Sequence, residues 1–415
     1  MAEVEAKSSA QSGEELEAFR AEVRGWLDEN FPQSLKGRAG SLMRSESIDD
    51  SERDALEWGK RLGAKGWATP TWPAEYGGGG LGQIQAQVLN QELDRAGAFN
   101  PLVRTTGMGI TMVGPTILEY GTEAQKQRHI PRICRGDVFW SLGYSEPNAG
   151  SDLASLATRA VDAGDHWVVN GQKTWTSGAD ISDWCGVLVR TDADVAKRDG
   201  ISFLMIDMDQ PGIETRPIQL IGGASPFCET FFNDARAEKD EMLGDLNAGW
   251  TVGKRLLQHE RQSQTGATSG MGGGGSRKPL RELAKEYAGV DDAGRLADSD
   301  LRSRLTDHMM NAKAHSLTLA RIVEESRGNA KVSAAASILK NSASGVAQHR
   351  AELILEMMGH QGLGWEGEGF SREELDSVRG WLTGKAMSIY GGSFEIQNNI
   401  IAKNILGLPE TTQRG

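Results

Sequence analysis

HWVVNGQKTW, His166 to Trp175, is a run of β texture in a chain whose two ends read as helix. Valine and tryptophan fit a pleated, half-buried surface, and Asn-Gly favours a two-residue hairpin turn. The same texture recurs in CGVLVRT (Cys185 to Thr191), ISFLMIDM (Ile201 to Met208) and CETFF (Cys228 to Phe232). Short apolar runs of this kind predict the strands of a compact antiparallel β unit. On its N-terminal side, Leu16, Phe19, Val23, Trp26 and Leu27 recur at helical spacing. Helical patterning continues through QAQVLNQELDRAGA after the Pro/Gly-rich TPTWPAEYGGGGLG, and it returns from Asn247 onward. The spacing therefore predicts an α+β chain in four parts: a disordered tail (1–13), an N-terminal helical domain (14–136), a central antiparallel β domain (137–245) and a C-terminal helical bundle (246–415).

The totals exclude several functions. The 415 residues carry 45 basic and 57 acidic side chains, a formal charge of −12. With no Lys/Arg block, such a chain gains nothing from phosphate backbones or anionic lipid, so neither nucleic-acid binding nor membrane insertion is expected. No apolar run is long enough to span a bilayer. The start, MAEVEAKSSAQSG, is acidic and lacks the apolar segment of a signal peptide. Cys134, Cys185 and Cys228 form no CxxC pair, which points to buried thiols in a reducing cytoplasm. The seven histidines show no metal-ligand spacing, so no metal is expected.

The pattern GxGxxG occurs at Gly77/Gly79/Gly82, Gly270/Gly272/Gly275 and Gly362/Gly364/Gly367. Among 52 glycines such matches arise by chance, and none follows a strand and opens a helix, so a nicotinamide Rossmann site is not indicated. No GxSxG elbow is present. The run Gly272 to Gly275 reads as a linker.

Three stretches carry more information: GYSEPNAGSD (Gly143 to Asp152), NGQKTWTSGAD (Asn170 to Asp180), and SIYGGSFEIQNNI (Ser388 to Ile400), which continues as IIAKNILGLP. Singly, each is a turn with a cap. In this order, on an α–β–α layout, they resemble the acyl-CoA dehydrogenase family. WPAEYGGGG and the passage from Phe232 to Arg261 resemble it too, and the likeness runs from about Glu14 to Pro409.

The resemblance implies FAD-dependent oxidation of the Cα–Cβ bond of an acyl-CoA to a trans-2-enoyl-CoA, with electrons passed to electron-transferring flavoprotein. It implies that the backbone and hydroxyl of Tyr144 and Ser145 face the flavin pyrimidine edge, that Trp175 covers one flavin face, and that Thr176 and Ser177 approach N5. Ser151, toward the CoA portion, and Arg261 would meet substrate. Ser393 and Glu395 match positions at the FAD adenosine, and Gly359 lies in a loop that meets FAD from a neighbouring subunit. A homotetramer of two dimers is implied, with assembly from two different chains as the alternative.

Two positions depart from the family. Most members carry an Arg and a Phe-Gly that grip the FAD pyrophosphate; here GGGGSRKPLRELAKEYAG has no Phe-Gly, and Arg277 and Arg281 are unassigned substitutes. Most members also keep the catalytic carboxylate where this chain has Gly391, which retains only a backbone N–H for the thioester oxygen. The branches with isovaleryl-CoA and long-chain acyl-CoA dehydrogenases instead supply a Glu that directly precedes an Arg, as in LQHER, and that residue here is Glu260. Periodicity supports the choice independently. Trp250, Gly253, Leu256, Leu257 and Glu260 fall on one helical face, with His259 to the other side. A carboxylate on an apolar stripe is desolvated and suited to act as a base. The competing reading of Glu260 is a buried structural carboxylate paired with an arginine. Competing functions are a flavin oxidase or monooxygenase on the same fold, or one subunit of a two-chain dehydrogenase. The acyl group is not readable, although a helix-borne base occurs in relatives with branched, long or polycyclic acyl groups.

Overall fold

The computed structural model describes residues 13–36, 38, 50–264, 278–326 and 335–409. Apart from Gly13, the expected N-terminal tail lies outside them, as do Arg277 and the Gly272–Gly275 run. The N-terminal helices are α1 (Gly13–Asn30), α2 (Asp50–Ala64), α3 (Gln83–Ala96), α4 (Leu102–Thr105), α5 (Gly114–Tyr120) and α6 (Glu123–Arg135). Seven strands follow: β1 (Trp140–Gly143), β2 (Arg159–Asp162), β3 (His166–Ser177), β4 (Trp184–Arg190), β5 (Ile201–Asp207), β6 (Ile213–Ile218) and β7 (Phe227–Glu238). The remaining helices are α7 (Gly249–Gln264), α8 (Leu280–Ala288), α9 (Ser299–Ser326), α10 (Ala335–Met358), α11 (Arg372–Gly384) and α12 (Phe394–Asn404).

The strands form one sheet in the order β1-β4-β2-β3-β7-β6, with β5 also paired to β4. The expected antiparallel pairing holds for β2–β3, β3–β7 and β4–β5. β1 and the start of β2 instead join β4 in parallel. Burial on both faces explains the unbroken apolar runs of β4 and β5. Leu188, Phe203 and Met205 face a core with Ile117 and Ile133, whereas Val187, Val189, Leu204 and Ile206 pack with Val169 and Phe232.

The Asn-Gly pair does not turn the chain. β3 runs straight through Asn170 and Gly171, and its register against β7 shifts there. The Asn170 amide donates to Asp234 Oδ1 at 2.8 Å and its oxygen accepts from the Asp234 N–H at 2.9 Å, so the side chain bridges two strands rather than closing a hairpin. Gly171 has φ +153°, and a Cβ there would lie 2.5 Å from Thr158 Oγ1. The glycine serves a bulge with close strand approach, a role that Asn-Gly also signals.

The chain divides into two compact units. One comprises Met1–Pro217 with Phe227–Ser276, the other Ile218–Pro226 with Arg277–Gly415. α7, which the sequence pattern groups with the C-terminal helices, lies in the first. Its Val252 and Leu256 are fully buried among Val113, Ile117, Leu188 and Phe203. Each such side chain contributes about 1.5–3 kcal/mol, so α7 is anchored to the sheet and to α5. In the second unit, Leu280, Ala284, Leu301, Leu305, Leu353 and Met357 join α8, α9 and α10.

Candidate active site

The loop after β1 is tied to β3 by a buried ion pair that sequence reasoning missed. Lys173 is fully buried, and its Nζ donates to Glu146 Oε1 at 2.7 Å and to the Tyr144 carbonyl at 3.2 Å. The Glu146 carboxylate also accepts from the N–H groups of Ala157 at 2.6 Å and Thr158 at 2.9 Å. The Thr174 N–H donates to the Ser145 carbonyl at 2.8 Å. Burial pulls the Lys173 ammonium down to about 8 against the attraction of Glu146. Burial works against the Glu146 charge as well, but Lys173 and the N–H donors outweigh it and hold the carboxyl below its usual range. The pair is charged at neutral pH. Its signal was present: a Glu and a Lys stand inside the two quoted motifs. Each alone reads as a surface residue.

This tie sets the backbone of Tyr144 and Ser145 beside the end of β3. There the register against β7 shifts a second time, between Lys173 and Thr176. Trp175, inside that shift, has φ +60°, an uncommon and strained conformation for a bulky residue. The bulge swings its indole outward, 54% exposed, with one edge contact to Phe227 at 6.1 Å. Trp175 is therefore not a core aromatic. Thr176 is buried, and its Oγ1 has no hydrogen-bond partner among the described residues. Ser177 is half-buried and Ser151 is exposed. Beside Ser151, Asp152 pairs with Lys197 at 3.2 Å.

Glu260 is half-buried near the C-terminal end of α7, at the margin of the stripe that contains Gly253 and Leu256. His259, expected on the other side of the helix, is itself buried, 3.4 Å from Glu119 of α5. Arg255 donates to both Glu119 oxygens at 2.6 Å, so that carboxyl sits below its ordinary range. The Tyr144 side chain turns toward α7, where a Cβ on Gly253 would stand 3.5 Å from its hydroxyl. Its ring meets Phe203 edge-on at 6.3 Å. The Tyr144 hydroxyl is thus set against α7. The Arg261 side chain lies outside what the structure describes.

The other expected residues lie in the second unit. Gly391 and Gly392 have φ +65° and +87°, forming a turn into α12. Ser393 caps that helix, accepting from the Ile396 N–H at 3.4 Å, and Gln397 Nε2 donates to the Gly391 carbonyl at 2.8 Å. Glu395 is exposed on the first turn, its carboxyl held low by its own N–H, then by Ser393 and Lys340. Gly359 is exposed and opens a 3-10 turn, Gly359–Leu363, and Arg281 is exposed on α8. Cys134, Cys185 and Cys228 are free and buried. Among the described residues there is no metal-ligand cluster and no helix long and apolar enough to cross a membrane.

Comparison with known proteins identifies the family and agrees with the fold. Family models for the N-terminal, middle and C-terminal domains of acyl-CoA dehydrogenases match residues 13–137, 141–235 and 247–406. The chain belongs to the acyl-CoA dehydrogenase family, whose members are flavin-dependent oxidoreductases. It is 38% identical over 403 residues to the acyl-CoA dehydrogenase IpdE1 of Mycobacterium tuberculosis, covering 95% of this chain and 98% of that one. IpdE1 of Mycolicibacterium smegmatis is 37% identical over 409 residues, with 95% and 98% covered. Among solved structures, the Tcur3481-Tcur3483 steroid ACAD matches with TM-score 0.74 and 30% identity over 97% of this chain and 99% of that one. The ChsE4-ChsE5 complex from Mycobacterium tuberculosis matches with TM-score 0.71 and 28% identity, over 97% and 100%.

Proposed function

We propose that the chain removes hydrogen from Cα and Cβ of a bulky acyl-CoA thioester, with Glu260 as the base, in the cytoplasm. The observation that carries the reading is the convergence on one packed unit of the motif loop, the outturned Trp175 and the carboxylate of α7. The residues fit a flavin: an exposed indole face, a buried Thr176 hydroxyl without a partner among the described residues and a loop backbone clamped by Lys173–Glu146. A bound FAD would supply the two-electron acceptor for the hydride leaving Cβ, with electron-transferring flavoprotein as the next electron acceptor. Trp175 shields one side of that position from water, and Thr176 and Ser177 supply hydroxyl groups near it. Ser145 and the Tyr144 backbone hold the pyrimidine edge. Glu260 takes the Cα proton, a task that suits a carboxylate at the edge of an apolar stripe. On the family resemblance alone, Gly391 contributes its N–H to the thioester oxygen, Ser151 and Arg261 meet the CoA side, and Ser393, Glu395 and Gly359 meet FAD within a tetramer. The steroid ACAD likeness supports a polycyclic acyl group.

The test is a panel of acyl-CoA thioesters scored by anaerobic flavin bleaching, with Glu260→Gln alongside. The variant should retain flavin and bleach roughly a hundred- to ten-thousand-fold more slowly in a single turnover. Equal rates would assign the base elsewhere, and rapid reoxidation of the reduced protein by oxygen would favour an oxidase. A second reading has its own support. The absent Phe-Gly and the two-chain names of the steroid ACAD and the ChsE4-ChsE5 complex favour a partner chain that completes the FAD site. A chain that holds flavin only when co-expressed with a partner would establish it.

A further inference from the structure

We infer that Tyr144 is a positioning residue for the base: its buried hydroxyl, seated against α7 at Gly253, donates a hydrogen bond to the Glu260 carboxylate in the substrate-bound state. The inference rests on Glu260 being that base. Buried hydroxyl groups nearly always have a partner, yet Tyr144 Oη is buried with none among the described residues. A partner supplied when the site closes accounts for the orphan.

The geometry selects Glu260 as that partner. Gly253 and Glu260 are seven residues apart, two turns on one face and about 10 Å along the axis. Helical side chains lean toward the N-terminus, so the carboxyl reaches back along the face toward Gly253. A Cβ at Gly253 would meet Leu188 methyls at 3.3 Å and the phenol oxygen at 3.5 Å; the glycine leaves the trough open. The Phe203 contact and the backbone tie of Tyr144 to Lys173 fix the ring from the other side. Burial first, then the Glu260 charge, push the phenol well above its ordinary range, so it remains a donor at working pH. Among the described charged groups on and against α7, Arg255 and His259 lie against Glu119, Arg198 stacks on Trp250, Lys173 holds Glu146, and Lys254 is exposed. During the reaction the Cα–H bond breaks and the proton passes to a Glu260 oxygen. The phenol keeps its own proton throughout.

A donor to the ionised carboxylate lowers the pH at which the base becomes active. The experiment follows single-turnover bleaching of the flavin-loaded protein across pH with its best acyl-CoA. Losing the hydrogen bond in Tyr144→Phe should raise the midpoint by about one unit, a tenfold loss below it, with the high-pH plateau within about threefold of the parent. Fluorotyrosine installed at position 144 keeps the shape but is a stronger donor, and should move the midpoint down. With a bound acyl-CoA analogue that cannot be dehydrogenated, thermal midpoints of the parent, Tyr144→Phe, Glu260→Gln and the double variant should show coupling that disappears when Glu260 is protonated. If both Tyr144 proteins keep the parent midpoint while Glu260→Gln is slow, the inference fails and the base stands. If Glu260→Gln is as fast as the parent, the base fails and takes the inference with it. Should Tyr144→Phe lose flavin or fold poorly, the isosteric fluorotyrosine protein decides.

Discussion

Replacing Lys173 by methionine removes one half of the ion pair that clamps the motif loop to β3. Methionine fills much of the lysine volume, so the change is chiefly electrostatic. Glu146 would keep the N–H donors of Ala157 and Thr158 at 2.6 and 2.9 Å but lose the ammonium at 2.7 Å. Removing one partner of a buried pair typically costs about 3–5 kcal/mol, because the other charge is left uncompensated. The two remaining donors place Lys173→Met near the lower end, about 3 kcal/mol. The Tyr144 carbonyl also loses its donor, so the loop backbone should loosen and flavin retention should fall. The double variant Lys173→Met/Glu146→Gln removes the stranded charge and should be less damaged than the single one. Urea unfolding followed by tryptophan fluorescence, with flavin occupancy after gel filtration, reads both effects. Coupled loss of loop order and flavin is expected in Lys173→Met. A cost under about 1 kcal/mol, or a double variant no better than the single, would refute the electrostatic reasoning.

Two further outcomes follow from the same kind of reading. Glu92, 2% exposed, accepts from Arg24, Arg20 and Arg95, and these bonds, Arg24 foremost, outweigh its burial and lower its carboxyl to about 2. A carboxylate depressed from about 4.5 adds stability that is fully present above the unfolded value and is lost as pH falls toward 2, at most about 3 kcal/mol. Glu92→Gln should therefore destabilise the N-terminal helices near neutrality and match the parent near pH 2; a gap independent of pH in denaturant unfolding would contradict this. Placing a carboxylate at Gly391 in the Glu260→Gln background tests the family's usual arrangement. Nothing lies within 4 Å of a Cβ there, so crowding is no obstacle, but φ +65° strains a side-chain-bearing residue by about 1–3 kcal/mol. Partial recovery of bleaching with a lowered thermal midpoint is expected, and full recovery without that thermal cost would show the strain argument to be wrong.

Helix, β and helix were legible because hydrophobic period changes with structure, and the strands that contain Val168, Val187, Leu204 and Phe231 stand where the apolar runs are. The hairpin was misread because Asn-Gly signals a left-handed or glycine-only backbone, and a bulge uses that freedom as readily as a turn does. The parallel contacts of β1 and β2 with β4 were invisible for a different reason. They depend on where distant segments return, which no local pattern encodes. The Lys173–Glu146 pair was hidden likewise, since the two residues are 27 apart and neither spacing nor hydropathy announces a buried charge.

The position of α7 bears directly on Glu260 as the proposed base. A carboxylate in the Gly391 turn would be carried by the second unit, on backbone with two successive left-handed glycines. Glu260 is carried by a helix whose Val252 and Leu256 are locked into the core shared by α5, β4 and β5. The motif loop is held to that same body by Lys173 and by the Thr174–Ser145 bond. The proposed base and the backbone proposed to hold the flavin are thereby set relative to each other by one packed core, against which the Tyr144 side chain also lies. On this geometry a substitution that loosens α7 on its core, such as Leu256→Ala, should slow proton removal as well as cost about 2–5 kcal/mol of stability. A carboxylate displaced by a fraction of an ångström meets the Cα proton less often in line, even though Leu256 itself touches no substrate in the proposed arrangement.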